Sequence, residues 1–377
     1  MKREVMSIAI IAGMFLSGCI LDFDESGDSG QSNRYLVVTT ADFVKGLGNV
    51  SVINTSSFKV ADDLLSIHSD NAVVTHGSSI YILERLGADN IIRADNPDIS
   101  SSSLAYQKNI GTAVNIHDIA IVSSTKAYVT QNSSANLAVV NPATGTVTSS
   151  VALNAAAYIH GGETVPYMSS IVYAGGYVYV ACQRLKTVQG QWGPYADVGD
   201  STGVIVVIDV TSNRIVSSIA LNKKNPASLA TVGGYLYVSS TGSWMSQTDG
   251  GIEKINLSTN ANEGVVISEG SFGGDITTLE TVSATKAYVC VGKYDADFNF
   301  TTEVHEFNLS TGAVAGKVPN VKDAFGGLAH DGTYLYIGDR DPAAPGVIVI
   351  DPTDNSVVAG PISVGALPPS SIACAAY

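Results

Sequence analysis

Short apolar runs with a tyrosine near their start or centre recur along the chain. YLVV at Tyr35, IYIL at Tyr81, AYVT at Tyr128, VYVA at Tyr179, LYVS at Tyr237, AYVC at Tyr288 and LYIG at Tyr336 stand 46, 47, 51, 58, 51 and 48 residues apart. A second apolar run ends in Asp or Asn before a turn, at Asn54, Asp95, Asn141, Asp209, Asn256, Asn308 and Asp351. VIVVIDVTSNRIV, LAVVNPATGTVTSS and VIVIDPTDNSVV are its clearest versions. The Asp or Asn side chain can cap its own turn two residues on, and the T-x-G or S-N pair that follows reverses the chain. A period of about 50 residues with four short strands per unit predicts an all-β fold, the β-propeller of four-stranded antiparallel blades. In each unit strand B carries the tyrosine and strand C the Asp or Asn anchor, so the repeats predict seven blades. The tail PSSIACAAY matches a strand A with no B after it, whereas Tyr35 lies in a strand B with no A before it. The C-terminal strand should therefore pair into the first blade, closing the ring and removing exposed edges.

Composition narrows the alternatives. Only 14% of the 377 residues are charged, while 37 are Gly and 17 are Tyr, which disfavours helical bundles, coiled coils and charged disordered chains. The formal charge is −14 and no Lys/Arg cluster offers a footprint for a polyphosphate, so nucleic acid is not an expected partner. Cys182, Cys290 and Cys374 sit inside strand-like apolar runs with irregular spacing, which reads as buried free thiols; one disulfide with a thiol left over is the alternative.

The first residues read as an address. Lys2 and Arg3 precede an apolar stretch from Ile8 to Leu16 that is too short for a membrane span, the pattern of a secretory signal peptide. Leu16-Ser17-Gly18-Cys19 then resembles the bacterial lipobox. That resemblance implies cleavage before Cys19 and acylation of its thiol and new amino group; the alternative is an ordinary signal peptide with an incidental Cys19. Residues 20–33 are acidic, rich in Ser and Gly and without strand pattern, as a flexible tether would be. Ile20 stands where inner-membrane lipoproteins of enterobacteria carry Asp, so the resemblance points to the outer membrane. The expected organisation is a signal peptide over 1–18, an acylated Cys and tether over 19–33, and the propeller over 34–377.

The repeats resemble the YVTN/YncE-like family of seven-bladed bacterial propellers, over residues 34–377. The name motif survives as Tyr128-Val129-Thr130, with Gln131 where the final Asn would stand. The resemblance implies the fold and leaves the ligand open, because this fold carries binders, scaffolds and enzymes alike.

In a propeller the B–C loops and the interblade D–A loops lie on one face. From Tyr to anchor the distances are 19, 14, 13, 30, 19, 20 and 15, so blade 4 carries a B–C insertion of 17 residues over the shortest, and blades 5 and 6 carry smaller ones. The longest anchor-to-Tyr distance, 38, also enters blade 4. These loops hold Arg184, Trp192, Tyr195 and Asp197, then Trp244 and Met245, and, entering blade 4, Tyr158, His160, Glu163 and Tyr167. Aromatic rings flanked by a few hydrogen-bonding groups suit a planar or sugar-like ligand. Tyr167, Arg184, Trp192, Tyr195, Trp244, His160 and Glu163 are therefore the candidate ligand-binding residues; the alternative is that the aromatics only pack their own loops. No cofactor is expected, and the propeller is expected to be monomeric.

Weaker constellations accompany this one. Asp295-x-Asp297-x-Asn299 with Glu303 repeats the oxygen spacing of calcium loops, but Phe300 stands where Gly is needed and the segment alternates like a strand. Asp339, Arg340 and Asp341 read as a solvated charge cluster. His68, His117 and His160, with Asp70, Asp118 and Glu163 nearby, read as rim and cap hydrogen bonds at the channel mouth rather than a metal ring. No Gly-x-Ser-x-Gly elbow, phosphate loop or dinucleotide fingerprint occurs. The expected function is ligand binding (small molecule or glycan) without catalysis, on the face of the blade 4–6 loops of an envelope lipoprotein. The rivals are a protein-interaction scaffold of an envelope complex and a lyase- or lactonase-type propeller enzyme acting at the channel mouth.

Overall fold

The computed structural model describes residues 34–190, 193–244, 246–295 and 299–376. The segment read as signal peptide and tether, including Cys19, lies outside the described residues, as do Trp192, Met245 and Asp297. Seven four-stranded antiparallel sheets succeed one another along the chain, each with strands A to D from the channel outward. In blade 4, for instance, A is Met168–Ala174, B is Tyr177–Cys182, C is Val204–Asp209 and D is Arg214–Ala220. Blade 1 takes its B, C and D strands from Arg34–Thr40, Leu47–Asn54 and Val60–His68. Its strand A is Pro369–Ala376 from the other end of the chain, paired antiparallel with Tyr35 opposite Ala375 and Val38 opposite Ile372. The ring is closed as the unpaired strands at the two ends of the sequence require.

Each blade is buried on both sheet faces, so its inner strands read as continuous apolar runs rather than an alternation. On strand B of blade 4, Val178, Val180 and Cys182 pack with Tyr128 and Leu137 of blade 3, while Tyr179 and Ala181 pack with Leu236 and Val238 of blade 5. The recurring tyrosine is more than core. The hydroxyls of Tyr179 and Tyr288 donate to the Oδ1 of Asn260 (2.9 Å) and Asn355 (2.7 Å) in the C–D turn of the next blade, and Tyr128 reaches Asn213 likewise. Asn213, Asn260 and Asn355 are left-handed (φ 56°, 55° and 60°). They sit four residues after the Asp or Asn anchor, whose own side chain caps the turn, as Asp209 Oδ1 accepts the Ser212 N–H at 2.7 Å. In blade 6 that position is Gly312, and Tyr237 of blade 5 has no such latch.

Cys182, Cys290 and Cys374 are buried and free, with burial pushing the thiols of Cys182 and Cys290 up.

Candidate functional site

The B–C loop of blade 4 folds into its own hairpin, Lys186–Gly190 against Gly193–Asp197, with Val188 opposite Tyr195. The D–A loop entering blade 4 docks against it. Glu163 Oε1 accepts the Thr187 N–H at 2.6 Å, and its Oε2 accepts the hydroxyls of Thr187 at 3.0 Å and Tyr167 at 3.3 Å. His160 Nε2 lies 2.9 Å from Asp200 Oδ1. Arg184 Nη1 donates to the Thr202 carbonyl at 3.1 Å, its Nε is buried without a partner, and it forms no ion pair among the described residues. Tyr167 and Arg184 are both left-handed, φ 56° and 54°, where blade 5 places Asn225 and Gly242. Backbone bonds hold both positions: Gln183 N–H to Tyr167 O and Arg184 N–H to Pro166 O, 3.0 Å each. A left-handed side chain costs about 1–2 kcal/mol, so two adjacent ones in a single sector mark a place where the chain is held against its preference.

The two loops entering and leaving strands A and B of blade 4 do converge, and the structure joins Glu163, Tyr167 and Thr187 in one hydrogen-bonded group with Arg184 beside it. Tyr195 stands on the hairpin, 49% exposed. Trp244 is not part of this group. Its ring meets Phe300 of blade 6 edge-on at 5.7 Å, and Phe300 in turn contacts Tyr294 at 5.0 Å and Phe325 at 6.1 Å.

This second series continues around the same face. Arg340 lies with its guanidinium carbon 5.3 Å from the Phe325 ring centre and 5.4 Å from that of Phe43, a cation held between two rings. Phe325 belongs to a short 3-10 turn, Ala324–Gly326, resting on Gly338, where any Cβ would come within 2.7 Å of Gly326. Phe43 is 53% exposed and its loop neighbours Val44 and Leu47 are 82% and 54% exposed. Loop-length reasoning missed this arc because blade 6 has no long B–C loop. Its extra residues lengthen strands B and C, Lys286–Tyr294 and Phe300–Asn308. The signal available was Phe300 itself, an aromatic residue at the top of a strand.

Asp339 is not solvated: it is 2% exposed and its carboxylate accepts the N–H groups of Lys322, Asp323 and Asp341. Glu303 is not available as a calcium ligand, since Lys293, Lys317 and His305 surround it at 2.7, 2.8 and 3.0 Å; these partners hold it down at about 2 despite its burial. At the channel mouth, Asp118 joins blades 3 and 4 by accepting the Ser170 hydroxyl (3.1 Å) and the Ile171 N–H (2.9 Å), and burial pushes its carboxyl up to about 6. Asp70 pairs with Arg85, and burial pulls His117 well below its ordinary value. No group of three or more His, Cys, Asp or Glu side chains among the described residues could hold a metal ion. A buried amide ladder, Asn132 to Gln183 (3.1 Å) to Asn225 (2.6 Å), ties blades 3, 4 and 5 under the loops.

No family model matches the chain, and no curated protein matches it by sequence. Among solved structures, the dihydro-heme d1 dehydrogenase NirN in complex with DHE has a TM-score of 0.53 at 16% identity, over 92% of this chain and 76% of its own. Hydrazine synthase of Kuenenia stuttgartiensis gives 0.52 at 18% identity, over 73% and 74%. The computationally designed Ika8 protein gives 0.52 at 13% identity, over 89% and 90%. The chain's own strand topology defines the class, a seven-bladed β-propeller, and these likenesses support the propeller fold alone. They define nothing finer, because a synthase, a dehydrogenase and a designed chain are all similar to it in fold.

Proposed function

We propose that this chain is an envelope lipoprotein of the YVTN/YncE-like type, acylated at Cys19 and held at the outer membrane, whose propeller binds a small-molecule or glycan ligand on its loop face without covalent chemistry. The aromatic arc from Trp244 through Phe300 and Phe325 to Phe43, flanked by Arg340, carries this reading. Ring faces and edges supply stacking area for a sugar or planar ring, while a half-buried guanidinium supplies orientation. The hydrogen-bonded loops of blade 4, with Tyr195 exposed on their hairpin, form the adjoining wall. Arg34 opens strand B at the opposite face, that of the A–B and C–D turns, so a tether attached there leaves the loop face turned from the membrane.

The test uses full-length protein extracted from its own envelope, with co-purifying small molecules and glycans identified by mass spectrometry. A retained ligand that is lost in Trp244→Ala and in Phe300→Ala supports the reading. Retention unchanged in the Trp192→Ala/Trp244→Ala double variant moves the site elsewhere. Cys19→Ser should release the protein from the membrane fraction.

A second reading, a scaffold for an envelope protein, is favoured by one observation: Phe43, Val44 and Leu47 crowd three exposed apolar side chains into five residues, with Leu86 of the neighbouring blade 46% exposed.

A further inference from the structure

The loop that carries Trp244 is seated on one buried carboxyl group. It spans residues 241–250, between strands B (Tyr235–Ser240) and C (Gly251–Asn256) of blade 5. Asp249 closes the loop's own turn, accepting the Ser243 N–H at 2.9 Å and the Ser243 hydroxyl at 2.8 Å. Beneath it, strand D (Ala261–Ser268) runs into a short 3-10 turn, Glu269–Ser271. Glu269 is 0% exposed, and its side chain folds back so that Oε1 accepts the Gly250 N–H at 2.6 Å. A Cβ on Gly270, the next residue, would lie 2.9 Å from the Gln247 carbonyl oxygen, so the loop rests on this turn at two points.

The second oxygen of that carboxyl is left over. Glu269 Oε2 is closed to solvent and has no donor among the described residues. A Cβ on Gly250 would lie 2.2 Å from Oε2 and 2.6 Å from the Ser240 carbonyl oxygen, so both oxygens converge on the same side of Gly250. Such a place suits a carboxylic acid, whose O–H can donate, and not a carboxylate, which only accepts and would stay buried and unpaired. The surroundings act the same way. Burial is the largest influence on Glu269, Asp275 at the start of strand A of blade 6 and Asp249 in the loop repel a negative charge there, and Lys223 attracts one; together they push Glu269 up to about 7. Lys223 gives its Nζ to the Thr248 carbonyl at 3.1 Å, and Lys224 pairs with Asp249 at 3.4 Å. Glu253 of strand C takes the N–H groups of Asn222 and Lys223. On the blade 6 side, His305 meets Phe272, which ends the turn, at 5.7 Å, and both His305 and Lys293 are bound to Glu303.

We propose that Glu269 is a pH-sensitive latch: un-ionised, it holds the Trp244 loop down in its edge-on contact with Phe300; ionised, it lets the loop lift so that the carboxylate reaches water. The proton leaves to solvent and no other bond changes. The latched group titrates above the ordinary 4.5, so closure is fully favoured below that pH, weakens as pH rises, and has lost this contribution above about 7. Between those limits the preference for the closed loop falls about tenfold per pH unit. The latch concerns the position of the loop and holds whatever the loop binds.

The test uses full-length protein carrying Trp192→Phe, which leaves Trp244 as the single indole. Its fluorescence and its quenching by acrylamide are read from about pH 5 to about pH 9, without any ligand. Quenching should rise about twofold or more toward the alkaline side and level off above about pH 7. Glu269→Gln, a neutral amide of the same shape, should keep the indole shielded at every pH. Asp275→Asn, which removes a repelling charge, should lower the pH of the transition by about half a unit. It decides alone if Glu269→Gln does not fold, and a transition it does not move then overturns the proposal. His305→Gln, at the other group nearby that titrates in this range, should leave the transition in place. Quenching that is flat with pH overturns the latch, as does a transition that survives Glu269→Gln or disappears in His305→Gln.

Discussion

Blade 4 and blade 1 carry loops on the same face and use them in opposite ways. The long loops of blade 4 are consumed by one another: Glu163 takes Thr187 and Tyr167, His160 takes Asp200, and Arg184 takes the Thr202 carbonyl. The B–C loop of blade 1 is a six-residue turn. Asp42 and Leu47 exchange two backbone bonds, Asp42 Oδ1 caps the N–H groups of Val44 and Lys45 at 3.0 Å each, and Phe43, Val44 and Leu47 are left facing water. Length therefore measures how much chain a loop must hold in place; what it offers to a partner is a separate property.

The strongest way to break this contrast is Glu163→Ala. It removes the acceptor of three hydrogen bonds to a charged group, and we expect a local loss of about 2–3 kcal/mol, read as faster amide exchange over residues 183–203. If exchange there is unchanged, the two blade 4 loops are not held by each other.

Asp118, which ties blade 3 to blade 4, sharpens the comparison through pH. Its folded value near 6 lies above the ordinary 3.8, so its share of stability is fully present below pH 3.8 and is lost as pH rises through 6. Relative to Asp118→Asn, the wild type should lose about 2–3 kcal/mol between pH 4 and pH 7 in denaturant titrations. A difference independent of pH would mean the carboxyl titrates normally.

Tyr179→Phe removes the latch from blade 4 to Asn260 and should cost about 1 kcal/mol, whereas Tyr237→Phe, which has no latch, should cost near zero. Equal costs would assign the tyrosine repeat to packing alone. The smallest expected effect is at blade 1, where Val44→Ser should change folding stability by less than about 0.5 kcal/mol because its methyls already face water. A loss of 2 kcal/mol or more would show the tip to be part of the core.

The candidate site was legible only in part. Loop lengths pointed to blade 4, and the contact of Glu163, Tyr167 and Thr187 lies where the two insertions meet. The partition of Trp244 was not legible: both tryptophans fall in neighbouring loops by sequence, yet Trp244 turns to Phe300 of the following blade. Blade 1 has the same Tyr-to-anchor spacing as blade 5, 19 residues, so length alone does not single out its exposed tip. Asp339 read as a surface charge because sequence shows a charge but not the three N–H groups that surround it.

Blade number, strand order and ring closure follow from the chain alone. They rest on local facts repeated seven times: runs buried on both faces, and an Asp or Asn anchor before each C–D turn. Contacts made between distant segments were decided only in three dimensions, such as Tyr179 with Asn260 and Arg340 between Phe43 and Phe325. A side chain's partner there depends on which neighbour the twist of two sheets brings within about 3 Å, and no spacing along the chain encodes that distance.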